Sequence, residues 1–387
     1  MAPRRAVRDP GDSAIIAAMP MSAFRPLSVL PLLLMLAVCA VQTPRAAATL
    51  RPLPIVIAET YVSAPSPDDE LDSLATWRHP DGTAWLVATA KSSHRLVVFD
   101  ADTGTRLDDV GQEGERPGQF KRPNGIAILG DRVLVAERDN RRVQVLSLPD
   151  FQPLGSFGQG ELRAPYGLWL SAAGKRAGKD RDTVDVYVTD SFMEGKHNDI
   201  LPPLDQLDKR IRRYRLRFDT TGTFLAEPLG SFGETGEATA LRIVESIAGD
   251  ARRRTLLIAD EDMRRESTLR EYRHDGQSTG RSVPKMSFEA EAEGVVLWAC
   301  GGDRGYWVAV DQLPTLTLFH LFDRKTLASR GSFTGTVVAA TDGIALRTTG
   351  SPRFPDGALF AVHRDKSVAA FDLHEIAAAL KLDRSCL

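Results

Sequence analysis

The sequence lacks the features that mark three common classes of protein. Its longest apolar run, at residues 27–41, covers about 15 residues, which is short of the ~20 that a membrane-spanning helix needs. The formal net charge is −2, so composition gives no sign of a basic nucleic-acid-binding surface. The seven histidines include no H-E-x-x-H pair, and no G-x-S-x-G elbow, P-loop or G-x-G-x-x-G turn follows a strand. The usual zinc-protease, serine-hydrolase and nucleotide-binding chemistries are therefore not indicated.

The first 48 residues predict a secretory signal peptide with an upstream extension. Met21 is a second candidate start, Arg25 supplies the positive charge, residues 27–41 form the apolar segment and residues 46–48 are three alanines. The alternative is a lipoprotein signal ending at Cys39, although Val38 is bulky for that motif. Removing residues 1–48 takes away five Arg and two Asp, which changes the formal charge from −2 to −5. We expect a secreted or periplasmic chain with no transmembrane span in its mature form and no affinity for nucleic acid.

Only two cysteines, Cys300 and Cys386, follow the predicted signal peptide. An oxidising compartment would allow them to form a disulfide. The plainer alternative, which we favour at this stage, is one buried thiol and one terminal thiol that do not pair.

One pattern recurs six times along the chain. A short apolar strand is followed by a turn, by a second apolar strand that ends on a polar or acidic residue, and by a third strand. The copies begin at Ser73, Gly125, Gly167, Ser246, Gly294 and Gly343. A period of about 40–50 residues with several strands per copy is typical of β-propellers. The one long interval contains polar insertions near residues 174–182 and 194–209.

The repeats predict an all-β protein, a six-bladed β-propeller with about four antiparallel strands per blade, over residues 73–387. An acidic, proline-rich lead-in at residues 49–72 precedes it, and we expect this segment to run over the face of the propeller. Residues 374–382, HEIAAALKL, have the apolar spacing of a short C-terminal helix.

Repetition also predicts where polar side chains meet. The first strand of each blade lines the central channel, so the residues just before these strands face one another. They are Asp72, Asn124, Tyr166, Glu245, Glu293 and Asp342. Four carboxylates at one opening are costly without a cation, and carboxylate and amide oxygens suit calcium. The alternative is that these are ordinary turn residues, since Asp and Glu are common there. His363, at a strand end in the last repeat, could likewise contact this site or be an ordinary strand-end residue.

Two family resemblances agree with this fold. The segment at residues 111–128, which connects the first and second repeats and contains PGQF and PNGIA, resembles an NHL propeller repeat. From about Tyr61 to Leu380 the chain resembles the β-propeller phytases, which are six-bladed calcium enzymes that hydrolyse phosphate monoesters of inositol. The motifs that carry this resemblance are IADED, EAEG, GYWVAVDQ, TDGI, SPDDELD, ATAK and PYGLWL.

The resemblance implies roles for particular residues. It implies a catalytic set of Glu245, Glu261, Glu293, Gln312 and Asp342. It implies metal ligands at Asp68, Asp69, Glu245, Glu261, Glu293 and Asp342, and phosphate binding by Lys91, Tyr166 and either Arg138 or Arg141. The family's pattern is broken at Ser191, where a phosphate-binding lysine is expected, and Lys196 is displaced into an insertion.

The resemblance therefore implies a monomeric enzyme that uses several calcium ions to hydrolyse phytate, a small-molecule phosphate ester. Two alternatives stay open. A calcium-dependent lactonase with the same fold needs fewer basic residues, which fits Ser191. A non-catalytic NHL-like binding propeller would use the same blades without chemistry.

Overall fold

The computed structural model describes residues 53–172, 183–219 and 222–387. The predicted signal peptide, with Cys39, lies outside the described residues, as do residues 173–182 of the first insertion. No helix in the described ranges is long and apolar enough to cross a membrane.

The described chain forms six sheets, one for each predicted repeat, which we number blade 1 to blade 6. Two short strands come first, β1 (Ile55–Val56) and β2 (Tyr61–Val62). Blade 1 contains β3 (Leu71–Arg78), β4 (Ala84–Ala90), β5 (Arg95–Asp100) and β6 (Arg106–Val110). Blade 2 contains β7 (Pro123–Leu129), β8 (Arg132–Glu137), β9 (Arg142–Ser147) and β10 (Pro153–Phe157). Blade 3 contains β11 (Pro165–Ala172), β12 (Thr183–Asp190), β13 (Ile211–Phe218) and β14 (Phe224–Phe232).

The second half of the chain repeats this arrangement. Blade 4 contains β15 (Ile247–Asp250), β16 (Thr255–Asp260), β17 (Thr268–Arg273) and β18 (Ser278–Ser282). Blade 5 contains β19 (Ala292–Ala299), β20 (Gly305–Asp311), β21 (Leu318–Asp323) and β22 (Ser329–Thr334). Blade 6 contains β23 (Ile344–Arg347), β24 (Ala358–His363) and β25 (Ser367–Asp372). A short 3-10 helix, Leu204–Lys209, lies in the second insertion. The predicted six-bladed, all-β fold is confirmed.

The second strand of each blade is an apolar run because it is covered on both faces. Every residue of β16 and of β20 is buried, whereas four of the five residues of β6, an outer strand, are exposed. Six apolar clusters fill the spaces between neighbouring blades. One joins Val87 of blade 1 to Val133 of blade 2, and another joins Phe360 of blade 6 to Phe99 of blade 1. The contact between the last and first blades closes the ring.

The first part of the lead-in adds two outer strands to the propeller, which the sequence did not predict. Its later residues reach the loop after β24, where the amides of Ser66 and Leu71 donate to the carbonyls of Lys366 and Asp365. Strand β2 pairs antiparallel with β25 and becomes the fourth strand of blade 6, and β1 pairs parallel with β22 at the outer edge of blade 5. An uncovered edge strand exposes unpaired amide and carbonyl groups, which these two strands satisfy. Between them, Glu59 accepts hydrogen bonds from the backbone amides of Thr336, Val337 and Val338 at 2.8–3.1 Å.

The C-terminal helix is present and is shorter than predicted. Helix α1 (Leu373–Ala379) begins after Asp372, whose side chain caps it by accepting a hydrogen bond from the His374 amide. Beyond it, Cys386 forms a disulfide with Cys300, with 4.3 Å between their Cα atoms. The expectation of two unpaired thiols was therefore wrong. The helix turns the chain back across blade 5 and so brings Cys386 to Cys300. The two cysteines are 86 residues apart in the sequence, which gives no sign of this contact.

Candidate functional site

The innermost strands of the six blades line a central channel with a volume of about 410 Å³. At one end of the channel lie the six residues that immediately precede its glycine or serine lining. We call them the inner ring, and they are Asp72, Asn124, Tyr166, Glu245, Glu293 and Asp342. Five of these groups are close enough to affect one another's pKa values, because the charges of Asp72, Glu245 and Asp342 raise the pKa of both Tyr166 and Glu293.

Close contact between blades explains why the inner ring is so narrow. A Cβ atom at Gly125 would lie 2.1 Å from the carbonyl oxygen of Tyr166, and one at Gly167 would lie 2.2 Å from that of Glu245. Only glycine allows the neighbouring backbone to approach this closely. The hydroxyl of Thr189 also donates to the Glu245 carbonyl at 2.9 Å. The backbone carbonyls of Asp72, Asn124, Tyr166, Glu245 and Asp342 all contact the preceding blade in this way.

A second set of residues surrounds the inner ring. Because strands alternate in direction, the end of the second strand in a blade lies beside the start of the first. The residue one past each second strand therefore reaches the same end of the channel. We call this set the outer ring, and it consists of Lys91, Arg138, Ser191, Glu261, Gln312 and Arg364.

Main-chain hydrogen bonds fix the outer ring in the same way in five blades. The amide of the outer-ring residue donates to the carbonyl two residues before the inner-ring residue, for example Lys91 to Glu70 at 2.9 Å and Gln312 to Glu291 at 3.0 Å. In blade 6 the Arg364 amide donates to Ala339 instead, one residue further back. The two rings are therefore set by the backbone of the repeat and not by side-chain packing.

The acidic residues that end the second strands have a structural use. Asp190 accepts from the amides of Arg163 and Ala164, and Asp311 accepts from those of Glu289 and Ala290. Glu137 and Asp260 make equivalent contacts in blades 2 and 4. These carboxylates hold the loops that carry the inner ring. In blade 6 the ring nitrogen Nδ1 of His363 does the same for the Ala339 amide at 3.1 Å, so the plainer interpretation of His363 fits its contacts.

Three predicted metal ligands come together in the structure. Carboxylate oxygens of Glu245, Glu261 and Glu293 lie within 4.8 Å of one another. We call this group the carboxylate cluster. Burial, opposed by a hydrogen bond from Tyr166, raises the pKa of Glu245 to about 7. Burial and the neighbouring carboxylates raise the pKa of Glu261 and of Glu293 well above the usual range.

The carboxylate cluster has the properties of a cation site. Within the described ranges, no lysine or arginine forms an ion pair with any of its three members. One oxygen of Glu261, Oε1, is buried without a hydrogen-bond partner. Hard divalent cations such as calcium prefer carboxylate oxygens, and a cation here would satisfy the buried oxygen and remove the mutual repulsion. The donor set therefore fits calcium.

A buried lysine occupies the opposite side of the inner ring. The Lys91 ammonium lies 3.1 Å from Asp342, 3.5 Å from Asp72 and 3.6 Å from Glu70. Burial alone would lower the pKa of Lys91, but the charges of Asp72 and Asp342 outweigh burial and raise it. Gln312 donates a short hydrogen bond from Nε2 to Asp342. Lys91 is thus a permanent cation that neutralises this half of the ring.

The acidic pair of the lead-in does not join the carboxylate cluster. The carboxylate of Asp69 accepts from Arg95 at 2.8 Å and from Arg106 at 2.6 Å, and Asp68 is exposed. Both line a separate cleft of about 490 Å³ against blade 1. Two arginines already neutralise Asp69, so its contacts give no support to the predicted role as a metal ligand.

A basic cleft of about 760 Å³ opens beside the carboxylate cluster. Tyr166 and Glu245 line it from the inner ring, and its four basic side chains are Lys121, Arg138, Arg141 and Arg163. Arg138 pairs with Asp139 at 2.8 Å, whereas Arg141 and Arg163 have no carboxylate partner in the described part of the chain. Both predicted arginines, Arg138 and Arg141, therefore lie in one cleft with Tyr166.

The break in the family pattern also lies in this cleft. The hydroxyl of Ser191 accepts a hydrogen bond from the Val244 amide at 3.2 Å, which positions the backbone next to Glu245. Lys196 is exposed in the following turn and does not line the cleft. Cations are nevertheless present, because Lys121 and Arg163 line the same walls. Sequence inspection missed both, since they lie in loops outside the repeated strands.

Two more carboxylates near the ring were missed. Asp365 follows the outer-ring position of blade 6, and burial together with Asp342 raises its pKa to about 6. Glu70 pairs with Arg122 at 2.9 Å as well as contacting Lys91. Aligning the ends of the second strands, TAKS, AERD, TDSF, ADED, VDQL and VHRD, would have identified the turn that contains Asp365.

Comparison with known proteins adds little beyond the fold. No family model matches the sequence, and no curated protein matches it. Similar solved structures include a chain of the nidogen/laminin complex, at 14% identity over 73% of this chain and 92% of that chain, with a TM-score of 0.46. Another is the hydrazine synthase of Kuenenia stuttgartiensis, at 16% identity over 84% of this chain and 82% of that chain, with a TM-score of 0.47. A likeness of this degree does not carry an activity from one protein to another.

Proposed function

We propose that this protein is a calcium-dependent hydrolase of phosphate monoesters, with phytate as its substrate. One observation carries the proposal. Three carboxylates, Glu245, Glu261 and Glu293, lie beside a cleft that contains Arg141 and Arg163. Among residues 53–172, 183–219 and 222–387, these carboxylates have no ion-pairing lysine or arginine and these two arginines have no carboxylate partner. A site for cations next to a site for anions suits a substrate whose phosphate bridges the two.

The carboxylate cluster and Asp342 are the residues that would hold calcium. Bound calcium would supply Lewis-acid chemistry, polarising a phosphate oxygen and making a water molecule more acidic. The proposal includes several ions, since Glu291 adds a fourth carboxylate whose charge acts on both Glu261 and Glu293. Asp68 and Asp69 are not needed for this arrangement.

The protein's own side chains would bind and orient the ester. Arg141 and Arg163 would donate to phosphate oxygens from the cleft wall, as arginine's planar group is suited to do. Tyr166 keeps its proton, since burial raises its pKa well above the ordinary value, and its hydroxyl uses that proton in the hydrogen bond to Glu245. Tyr166 would therefore position Glu245 at the wall of the cleft where the ester binds. Lys91 and Gln312 hold Asp342 in place, and Lys91 reaches substrate only through the carboxylates it neutralises. This revises the phosphate-binding role predicted for Lys91.

The proposal also includes a location outside the cytoplasm. The Cys300–Cys386 disulfide is of a kind that persists in oxidising compartments, and it agrees with the predicted signal peptide. We propose a secreted or periplasmic monomer that acts on a small-molecule ester.

Phosphate release from phytate tests the proposal. We expect release with calcium and loss of release after chelation. The variant Glu293→Gln should lower kcat by about 100-fold or more, the scale seen when a charge-stabilising group is removed. Glu227→Gln is the matched control, because Glu227 lies on an outer strand and pairs with Arg217 at 2.8 Å. No release by the unmodified protein with calcium would refute the proposal.

The same assay separates the two alternatives. A lactone panel tested with calcium would identify a lactonase, which has no need of cations in the cleft. Calcium binding without turnover of either substrate class would favour a binding propeller.

A further inference from the structure

The sixfold backbone pattern identifies one outer-ring residue that neither the motifs nor the family resemblance assigned. Arg364 follows β24 as Lys91 follows β4 and Arg138 follows β8. Its amide hydrogen bond to Ala339, at 3.0 Å, is the blade 6 form of the bond that anchors the other five outer-ring residues. Arg364 therefore belongs to the same end of the channel as the carboxylate cluster.

Neighbouring contacts place the Arg364 side chain at the rim of this end. Its Nη2 atom lies 3.5 Å from the carbonyl oxygen of Pro314, two residues after Gln312 of the outer ring. The next residue, Asp365, interacts with both Asp342 and Lys91. Arg364 is exposed and forms no ion pair with the part of the chain that the structure describes. Its charge is left facing solvent beside the inner ring.

The outer ring is divided by charge. Blades 6, 1 and 2 are consecutive and contribute Arg364, Lys91 and Arg138, whereas blades 3, 4 and 5 contribute Ser191, Glu261 and Gln312. Lys91 is neutralised by buried carboxylates and Arg138 by Asp139. Among the three basic residues of the outer ring, Arg364 is therefore the one whose charge is not neutralised. Its blade, blade 6, lies across the channel from blade 3, which contains Arg163.

We propose that Arg364 is a further substrate-binding residue, which contacts an anionic group of the ester other than the group that reacts. This inference rests on the proposed function and narrows its substrate class. Cations on opposite sides of the carboxylate cluster, Arg364 on one and Arg141 with Arg163 on the other, suit a compact ester that carries several anionic groups. In this proposal a substrate with a single phosphate uses the cleft arginines alone.

Steady-state kinetics of Arg364→Ala with two substrates tests the inference. For phytate we expect KM to rise about fivefold with little change in kcat, because an exposed charge pair contributes little more than this. For p-nitrophenyl phosphate, which carries one phosphate, KM should not change. Arg364→Lys should recover part of the affinity for phytate, and added salt should shrink the difference. Arg78→Ala is the control, since Arg78 is an exposed arginine at the far end of β3.

Binding of myo-inositol hexasulfate gives a readout that does not depend on turnover. Calorimetry with the calcium-loaded protein should show about fivefold weaker binding for Arg364→Ala than for the unmodified chain and Arg78→Ala, as expected for one exposed ion pair. Equal affinity in all three proteins would overturn the role of Arg364, even if phytate is hydrolysed. Weaker binding only in Arg364→Ala, without phosphate release by any variant, would support the anion site and refute the proposed function.

Discussion

In the absence of metal, the carboxylate cluster should make the protein less stable as pH rises. A carboxyl group whose pKa is higher in the folded than in the unfolded chain holds its proton more tightly when folded. Its protonation then stabilises the fold below the unfolded pKa, and that stabilisation is lost as pH rises through the folded pKa. For Glu245 the two values are 4.5 and about 7, so the loss falls between pH 5 and pH 8.

The size of this effect follows from the same shift. A difference of about 2.5 pKa units corresponds to about 3 kcal/mol. Unfolding a chain of this size involves an entropy of about 0.7 kcal/mol/K, so the melting temperature should fall by about 4 °C. The pKa values of Glu261 and Glu293 are also raised, so these two groups should add to the fall in melting temperature. Bound calcium should reverse the trend, because protons compete with the metal at low pH.

Differential scanning calorimetry in chelator at pH 5, 6, 7 and 8 measures the effect. His274 and His363, whose pKa values burial lowers, act in the opposite sense and stabilise the fold as pH rises. Comparison with Glu245→Gln cancels their contribution. As pH rises, the free energy of unfolding should fall by about 3 kcal/mol less in the variant than in the unmodified chain. An identical pH dependence in both proteins would refute the electrostatic interpretation of the cluster.

Three further predictions concern other parts of the molecule. Glu59→Gln should lower the melting temperature by about 3 °C, since it weakens charge-assisted hydrogen bonds together contributing about 2 kcal/mol. The Glu59→Gln variant should also bind calcium more weakly, because the segment whose amides Glu59 binds leads directly to Asp342. The control is Asp323→Asn, which weakens a similar turn at the opposite end of blade 5 and should lower the stability of the protein without affecting calcium binding. Cys386→Ser should lower the melting temperature by about 6 °C, as a disulfide closing a long loop contributes about 4 kcal/mol, and an unchanged value would mean that the bond is not formed. Ser191→Lys adds a cation to the basic cleft and should lower KM for phytate about threefold; an unchanged KM would argue against substrate binding there.

Repetition made the centre of the molecule predictable. The period of the strands located Glu245, Glu293 and Asp342 at one opening, because equivalent positions in a closed ring must face one another. The same logic extends to the outer ring, whose backbone hydrogen bonds repeat from blade to blade. Arg364 lies in VHRD, which is not one of the motifs that carry the family resemblance, although it has the same position after its second strand as the other five residues.

Pairings outside the repeat could not be predicted in this way. Asp69 and Asp311 are both acidic residues beside strands, but arginines from β5 and β6 neutralise the first and backbone amides occupy the second. Composition does not distinguish such structural carboxylates from ligands. The disulfide and the placement of Arg163 depend on how a terminal segment and a loop pack, and neither belongs to the periodic pattern.

Calcium binding measured by calorimetry on the metal-free protein tests the central claim most directly. The proposed cluster predicts calcium binding by the unmodified chain and the loss of at least one site in Glu261→Gln, which removes the negative charge and one of the two oxygens of a carboxylate that has a buried oxygen without a partner. Absence of binding, or the same stoichiometry and affinity in the variant, would contradict the claim that these carboxylates hold divalent cations.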